Sequence, residues 1–333
     1  MARRHENISQ QVVFQPQRRL SMNASLVLNG SLVLTLVMGV AGRAGLTAEA
    51  ASTKGAIAEI QKLGGMGLGL RYTKVTDAEL ERLKGLAHLQ NLTLLGGQVT
   101  DAGLEHLKGL TQLQTLDLIG AQVTDAGLEH LKALTQLQTL TLMGIPVTDA
   151  GLEHLKGLTN LQKLYLMGTV TDAGLEHLKG LTKLQTLSLI GTKVTGAGLE
   201  HLKGLTKLQT LTLMGIPVTD AGLEHLKGLP QLQTLDLTGT RVTDAGLERL
   251  KGLTQLQTLH LHGTRVTDAG LEHLRGLTQL QSLGLENASV TDAGLVHLRG
   301  LTKLKWLNVG DTQVTEVGIN ELHKALPKVD ITR

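Results

Sequence analysis

The apolar positions of this chain repeat with a fixed period over most of its length. Beginning at Val75, a valine opens a new unit every 24 residues, except that the unit beginning at Val147 has 23 residues. One unit reads VTDAGLEHLKALTQLQTLTLMGIP over residues 123–146, and residues 139–158 are identical to residues 210–229. Such self-similarity indicates a solenoid, in which tandem copies of one unit stack on each other.

The second half of each unit predicts a short β-strand. Leu116 and Leu118 are two residues apart, so they share one face of a strand, which we expect to be buried. Thr115, Asp117 and Ile119 then take the opposite face.

The first half of each unit predicts a short helix. Leu128 and Leu131 are spaced i, i+3, which places both on one side of a helix. Thr124 is a good N-cap, and Asp125 suits the positive end of the helix dipole. In most units a glycine follows the lysine of the helix, and we expect this glycine to end the helix with a positive φ. Because one unit alone buries neither its helix nor its strand, neighbouring units must stack, with strands on one side and helices on the other.

The leucines of the unit also carry a resemblance to a known family. Leu113, Leu116 and Leu118 form the pattern LxxLxL, and the wider unit begins V-T-D-A-G-L-x-x-L. This unit resembles the leucine-rich repeat, in particular the helical form of bacterial, planctomycete-type repeat proteins, and it is similar to the cysteine-containing repeats of F-box proteins. The resemblance extends from about Leu68 to Arg333. It implies an α/β fold, a right-handed solenoid with a concave parallel sheet of about eleven strands and short convex helices, which serves as a binding scaffold.

One position departs from the family pattern. The asparagine or cysteine that usually follows the strand is replaced by threonine in some units and by glycine, alanine or isoleucine in others. A threonine hydroxyl can satisfy one backbone group of the turn, whereas alanine and isoleucine offer none. We therefore expect an interrupted polar ladder at this turn. The threonines are Thr192, Thr240, Thr264 and Thr312.

The first fifty residues predict a targeting leader. The apolar stretch 26–42 follows a basic segment and, at seventeen residues, is shorter than the roughly 20 that span a bilayer. The small-x-small pattern at residues 48–50 offers a cleavage site. We interpret residues 1–50 as a signal peptide or membrane-targeting leader of an exported protein, whether periplasmic, at the cell surface or secreted. The alternatives are an uncleaved membrane anchor, a later start at Met22, and a cytoplasmic protein.

The ends of the repeat array differ from the repeats and predict caps, which a solenoid needs to stay soluble. Residues 51–74 form the predicted N-terminal cap, residues 75–313 the leucine-rich repeats, and residues 314–333 the C-terminal cap repeat. The apolar residues that predict a helix and a strand in each cap are, at the N-terminal end, Ile57, Ile60, Leu63, Leu68 and Leu70 and, at the C-terminal end, Ile319, Leu322, Leu326, Val329 and Ile331.

Charge and composition exclude several classes of function. The net charge of +3 comes from residues 1–50, which contain five Arg and two Glu, so the rest of the chain has 27 basic and 27 acidic residues. The balanced remainder lacks the basic footprint of a nucleic-acid-binding domain. The chain has no Cys, which excludes disulfides, thiolate zinc sites and cysteine nucleophiles.

The sequence also lacks recognisable catalytic and cofactor-binding motifs. It contains no G-x-S-x-G, P-loop or H-E-x-x-H string. Asp117 and Asp236 are five units apart, about 24 Å along a sheet, which is too far for a pair of glycosidase carboxylates. We therefore expect no cofactor and no enzymatic activity.

Eight of the thirteen histidines occupy one position of the predicted helix. A metal ladder is one interpretation of this column. Packed helices lie about 8–10 Å apart, however, whereas a shared zinc ion needs each nitrogen about 2 Å away. Charged neighbours are typical of a solvated helix face, so we predict no metal site. The column consists of His106, His130, His154, His177, His201, His225, His273 and His297.

The outward positions of the predicted strands are the candidates for a binding site. Adjacent strands lie about 4.8 Å apart, so equivalent positions of neighbouring units form a row. The position after the second strand leucine is apolar in six consecutive units, Leu95, Ile119, Met143, Met167, Ile190 and Met214, and we call this row the apolar stripe. Tyr165 lies beside it. A polar zone follows, with Asp236, His260, His262 and Trp306, the last of which can equally serve to cover the C-terminal cap.

From these observations we predict a non-enzymatic scaffold that recognises a protein partner on the concave face of its sheet. We expect contact with a membrane only through an uncleaved leader, and none with nucleic acid. Two alternatives stay open. One is a substrate-recognition adaptor of the F-box, ubiquitin-ligase type that acts inside the cell, and the other is a glycan-binding or hydrolytic module.

Overall fold

The computed structural model divides the chain into two units, Met1–Ala44 and Gly45–Arg333. The structure describes the backbone of residues 23–28, 32–37, 67–71, 75–95 and 97–333, and the side chains of residues 75–95 and 97–333.

The first unit contains two described strands, β1 (Asn23–Leu28) and β2 (Leu32–Val37), which pair in antiparallel register. Over the described segments, no helix is long and apolar enough to cross a membrane. The remainder of the predicted leader at 1–50 lies outside the described residues, so the leader stays a prediction. The cap-helix residues Ile57, Ile60 and Leu63 also lie outside them.

The second unit is built on a parallel sheet of twelve strands that follow one another in chain order. The strands are β3 (Gly67–Arg71), β4 (Asn91–Leu95), β5 (Thr115–Ile119), β6 (Thr139–Met143), β7 (Lys163–Leu166), β8 (Thr186–Ser188), β9 (Thr210–Thr212), β10 (Thr234–Asp236), β11 (Thr258–His260), β12 (Ser282–Gly284), β13 (Trp306–Asn308) and β14 (Asp330–Thr332). Equivalent residues pair, so Leu116 lies between Leu92 and Leu140. Both caps contribute a strand, β3 and β14, which raises the number from the predicted eleven to twelve and confirms the predicted cap strands.

A short helical segment connects consecutive strands. The α-helices are α1 (Asp77–Glu81), α2 (Asp101–Glu105), α3 (Asp125–Leu128), α4 (Asp149–Glu153), α5 (Asp172–Leu175), α6 (Asp244–Arg249), α7 (Asp268–Leu271), α8 (Asp292–Leu295) and α9 (Glu316–Ala325). Segments of 3₁₀-helix extend or replace them at Glu129–Ala133, Glu176–Leu178, Gly198–Leu202, Asp220–Gly228, Leu250–Gly252, Glu272–Leu274 and Val296–Leu298. Alternating parallel strands and short helices confirm the predicted α/β solenoid.

Leucine and valine fill the space between the sheet and the helices. Leu116 and Leu118 of the strand, Leu128 and Leu131 of the helix, and the unit-opening Val123 have no exposed surface. Burying one such side chain stabilises a protein by about 1.5–3 kcal/mol. In the C-terminal cap, the residues predicted to form the helix stripe, Ile319, Leu322 and Leu326, are buried as expected.

Aspartate and threonine join nearly every described unit to the next, a contact that sequence reasoning missed. The carboxylate of Asp101 accepts two hydrogen bonds from Thr124, one from the backbone N–H and one from the hydroxyl, each of 2.7 Å. The oxygen that accepts the backbone N–H, Oδ1, lies over Gly127, where an added Cβ would be 2.3 Å from it. The predicted helix-start aspartate therefore bonds forward to the N-cap of the next unit, and the glycine leaves room for it. This aspartate–threonine ladder starts from Asp77, Asp101, Asp125, Asp149, Asp172, Asp220, Asp244, Asp268 and Asp292.

The ladder is interrupted once within the described repeats. Gly196 replaces the aspartate, and Thr219 of the next unit receives no carboxylate there. The backbones approach instead: a Cβ on Gly222 would lie 2.3 Å from the Cα of Gly196. Both helical segments at this junction, Gly198–Leu202 and Asp220–Gly228, are 3₁₀-helix.

At the end of the first described helical segment, Gly85 has the expected positive φ, 110°. In the later described units the expectation is wrong, because the equivalent glycine does not have a positive φ. The chain leaves the helix through a leucine of negative φ, such as Leu134 at −87°, so Ala133 can stand where other units have glycine. The left-handed residue instead follows the strand. It is Gly120, Gly144, Gly191, Gly215, Gly239 or Gly263, with φ of 62–70°, and Asn287 or Asp311 in the last two turns.

The turn after the strand also shows how threonine replaces the usual family residue. The hydroxyl of Thr240 donates a hydrogen bond of 2.7 Å to the carbonyl oxygen of Leu237, and three other threonines bond in the same way. Ile145 and Ala121 are buried at the same place and donate no hydrogen bond from their side chains. The predicted interrupted ladder is thus present. In the shortened unit, Gly168 takes a φ of 148°, as expected for a turn of different length.

Candidate binding surface

The apolar stripe lies on the open face of the sheet, the face opposite the helices. Leu95, Ile119 and Met143 are paired in register across β4, β5 and β6. They alternate with buried leucines, and no member of the stripe belongs to the leucine core. Met143 is 7% exposed, whereas the other five members are half-buried, since side chains about 4.8 Å apart cover each other's flanks.

Tyr165 occupies the middle row of the open face, one strand beyond Thr141. Asp117 accepts hydrogen bonds from the hydroxyls of Thr93, at 2.9 Å, and Thr141, at 2.6 Å. Burial raises the pKa of Tyr165, and the negative charge of Asp117 raises it further. The phenol therefore stays protonated at neutral pH, so its O–H can donate a hydrogen bond to a bound molecule.

A buried hydroxyl lies beside Tyr165. Ser188 is its partner in the next strand, is 3% exposed, and its Oγ has no hydrogen-bond partner in the described part of the chain. A buried hydroxyl without a partner costs about 1–3 kcal/mol of stability.

The polar zone is a connected cluster at the C-terminal half of the open face. Nδ1 of His260 lies 3.2 Å from Nε2 of His262, and Nδ1 of His262 lies 3.3 Å from Oε2 of Glu286. Asn308 donates a hydrogen bond of 3.1 Å to the same Oε2. The backbone N–H of Gly310 donates to Asn308 at 2.9 Å, which fixes the amide.

A missing side chain makes this cluster possible. A Cβ on Gly284 would lie 2.0 Å from Nε2 of His262, so that ring lies in the space above the glycine. The rings of His260 and His262 stack with centroids 5.4 Å apart, and the ring of Trp306 lies 6.4 Å from His260. Trp306 is therefore placed beside His260 and also pairs with Asp330 of the last strand.

Burial lowers the pKa of His260, the neighbouring charge of Asp236 raises it, and His262 lowers it further. Because burial has the largest effect, the His260 ring is neutral at neutral pH. Asp236 pairs in register with His260 and accepts the backbone N–H of Thr238 at 2.9 Å. Sequence reasoning missed Glu286, Gly284 and Asn308; their place in the same outward rows as the two histidines was the available signal.

The helix histidines differ from the solvated column expected from the sequence. They are half-buried, and the Nδ1 atoms of His106, His130, His154, His201 and His273 are hidden from solvent without a hydrogen-bond partner. Within the described residues, no group of three or more His, Asp or Glu side chains is placed to hold a metal ion.

Comparisons with known proteins agree with this architecture. A family model described as Leucine rich repeat matches residues 230–290. No curated protein sequence matches the chain. Among solved structures, an internalin (inlF) from Listeria monocytogenes is similar over 84% of this chain and 93% of its own, with 24% identity and a TM-score of 0.59.

Two further solved structures are similar. An internalin C2 from Listeria monocytogenes has 30% identity over 62% of this chain and 84% of its own, with a TM-score of 0.48. Mouse RP105, in a structure of the RP105/MD-1 complex, has 20% identity and a TM-score of 0.60 over 80% of this chain, which spans 45% of that chain's length. The family match over residues 230–290, the 24-residue period, the twelve-stranded parallel sheet and the likeness to inlF and RP105 together show that this chain has the leucine-rich repeat solenoid fold.

Proposed function

We propose that this protein is a non-enzymatic scaffold that binds a protein partner on the open face of its sheet. The observation that carries the proposal is the apolar stripe. Its side chains lie outside the leucine core, three of them on strands paired in register, and five of the six keep part of their apolar surface in water. Covering apolar surface is favourable by roughly 25 cal/mol per Å², so a complementary partner surface gains free energy along the whole row.

Polar side chains beside the stripe can orient a bound partner through hydrogen bonds. Tyr165 offers a protonated hydroxyl beside the stripe, and aromatic residues of this kind are enriched among the residues that dominate binding energy. The repeated leucine core holds the rows at fixed spacing, so little conformational entropy is lost on binding. The likeness to mouse RP105, whose structure was solved in complex with MD-1, adds a precedent at the level of the fold.

Export from the cytoplasm is the second part of the proposal, and it rests on the sequence of residues 1–50. N-terminal sequencing of the mature protein tests it: a start near Ala51 supports a cleaved leader. An intact N-terminus on a cytoplasmic protein would favour the alternative of an intracellular adaptor.

The binding surface is tested by placing charge in the stripe. Met167→Glu together with Met214→Glu is preferable to a change at Met143, because a glutamate at that 7%-exposed position would also destabilise the fold. We expect the double variant to weaken binding of a purified partner at least tenfold, with the melting temperature preserved.

A matched control uses two apolar residues elsewhere on the surface. Val296 and Val317 are 46% and 68% exposed on the helix side, so Val296→Glu with Val317→Glu adds the same charge away from the open face. This control should bind like the wild type. Equal binding by the stripe variant would remove the open face from the proposal.

A further inference from the structure

Two histidines on one strand end bring their ring nitrogens together on the open face. His260 and His262 are separated by one buried leucine, so both side chains point the same way. Nδ1 of His260 and Nε2 of His262 are 3.2 Å apart. Two nitrogens that each lie about 2.0–2.1 Å from a tetrahedral zinc ion are separated by about 3.3–3.4 Å. The observed separation therefore matches the spacing of two ligands of one ion.

A carboxylate is placed behind the second histidine. Nδ1 of His262 lies 3.3 Å from Glu286, which favours the tautomer that carries its proton on Nδ1 and leaves Nε2 unprotonated, as the acceptor of the contact from His260. Asn308 holds that carboxylate through the same oxygen. A histidine that binds a metal through one nitrogen and faces a carboxylate with the other is the usual arrangement in zinc proteins.

A glycine and two carboxylates surround the pair. Gly284 lies between the strands of His260 and Asn308 and has no side chain to occupy the space that the His262 ring enters. The nearby carboxylates of Asp236 and Glu286 make the electrostatic potential favourable for a cation.

We propose that His260 Nδ1 and His262 Nε2 bind one divalent transition-metal ion of borderline softness, such as Zn²⁺ or Cu²⁺. The described residues supply these two ligands, so water completes the coordination and the ion exchanges readily. To bind the ion, the neutral His260 ring carries its single proton on Nε2 instead of Nδ1, which frees the Nδ1 lone pair. The proposal does not depend on partner binding, since it concerns the protein and the metal alone.

The chain provides its own reporter for this site. Trp306 is the single tryptophan, and its ring lies 6.4 Å from that of His260. Cu²⁺ quenches nearby indole fluorescence, so titration of the untagged full chain with CuCl₂ should give quenching that saturates near one equivalent. Zn²⁺ should compete for the site, whereas Mg²⁺, which prefers oxygen ligands, should have no effect.

Variants assign the effect to the two histidines. His260→Gln and His262→Gln should each abolish the saturable quenching, and Glu286→Gln should weaken the apparent Cu²⁺ affinity about tenfold. His225→Gln, on the helix side, is the matched control and should behave like the wild type. Far-UV circular dichroism checks that each variant is folded, and Glu286→Gln keeps the test usable if a histidine variant is not.

Three results would overturn the proposal. They are quenching of the wild type that rises linearly without saturation, saturation that survives both histidine variants, and failure of Zn²⁺ to compete. Because no partner is present, any of these results leaves the proposed protein-binding function untouched, and loss of partner binding by the stripe variant leaves the metal site untouched.

Discussion

The two halves of the open face share one leucine framework and carry different side chains on it. From β4 to β9 the last outward row is apolar, from Leu95 to Met214, whereas in the later strands it includes His262 and Glu286. Beneath both halves the strand leucines are equally buried, as Leu164 and Leu259 show. Because alternation along the strand separates the two faces, the exposed chemistry changes without disturbing the core.

The same contrast appears in the charges. Asp117 and Asp236 hold equivalent positions, and each raises the pKa of a ring in its own half, Tyr165 and His260 respectively. Burial acts with opposite sign on the two rings, because it disfavours the phenolate of tyrosine but the imidazolium of histidine. Burial thus favours the uncharged form of both rings at neutral pH, although one half of the open face is apolar and the other polar.

The largest effect should come from the shared framework. Leu164→Ala in the apolar half and Leu259→Ala in the polar half each remove a fully buried side chain, so each should lower the free energy of unfolding by about 2–5 kcal/mol. Urea denaturation measures both. Similar losses would support one framework under two surfaces, and a strong loss in one half with almost none in the other would contradict it.

A smaller effect should come from the aspartate–threonine ladder. Asp172→Ala and Asp268→Ala each remove two hydrogen bonds to the next unit, to Thr195 and Thr291, and should cost about 1–3 kcal/mol. Glu105→Ala, which removes only an exposed ion pair, is the control, and about 0–1 kcal/mol is expected for it. Losses no larger than that of the control would mean that the ladder adds nothing to stability.

The ladder also predicts acid sensitivity. Hydrogen bonds from the Thr315 hydroxyl and backbone lower the pKa of Asp292 in the folded protein. Its contribution is therefore present above the pKa of about 3.9 for an unfolded aspartate and is lost as the pH falls through the lower folded value. Melting temperatures recorded as the pH falls below about 4 should decline less steeply for Asp292→Asn than for the wild type.

The smallest effect concerns the charge beside Tyr165. Asp117→Asn removes the negative charge that raises the pKa of this phenol, so the pKa should fall toward 10 while remaining above it because of burial. The difference in phenolate absorbance between the protein and its Tyr165→Phe variant isolates this titration. An unchanged midpoint would show that burial alone raises the pKa.

The sequence was sufficient for the features that repeat within one unit. The spacing of Leu116 and Leu118 predicted the strand, and that of Leu128 and Leu131 predicted the helix side, because both patterns depend only on local periodicity. The rows of the open face followed from stacking in register, which placed His260 and Tyr165 correctly.

The spacing of residues within one unit could not predict the contacts between units. Asp101 bonds to Thr124, 23 residues away, and its sequence position suits a helix start equally well. The pattern likewise gives rows but not ring orientation, so it could not show that His262 turns over Gly284 toward His260. After Gly85 the positive φ was assigned to the wrong glycines, because a glycine that follows the strand adopts a positive φ as readily as one that follows the helix.

The direct meeting of Gly196 and Gly222 has a consequence for how the molecule comes apart. In a repeat protein, stability is approximately a sum of intrinsic terms and nearest-neighbour terms, so a junction that lacks a coupling contact is where cooperativity is weakest. At this junction the hydrogen bonds of the aspartate–threonine ladder are replaced by a contact between the backbones of Gly196 and Gly222. Under mechanical force or heating, we expect the repeats on the two sides of this junction to separate and unfold independently. A protease that cleaves partly unfolded forms should therefore cut first near Gly196 and Gly222.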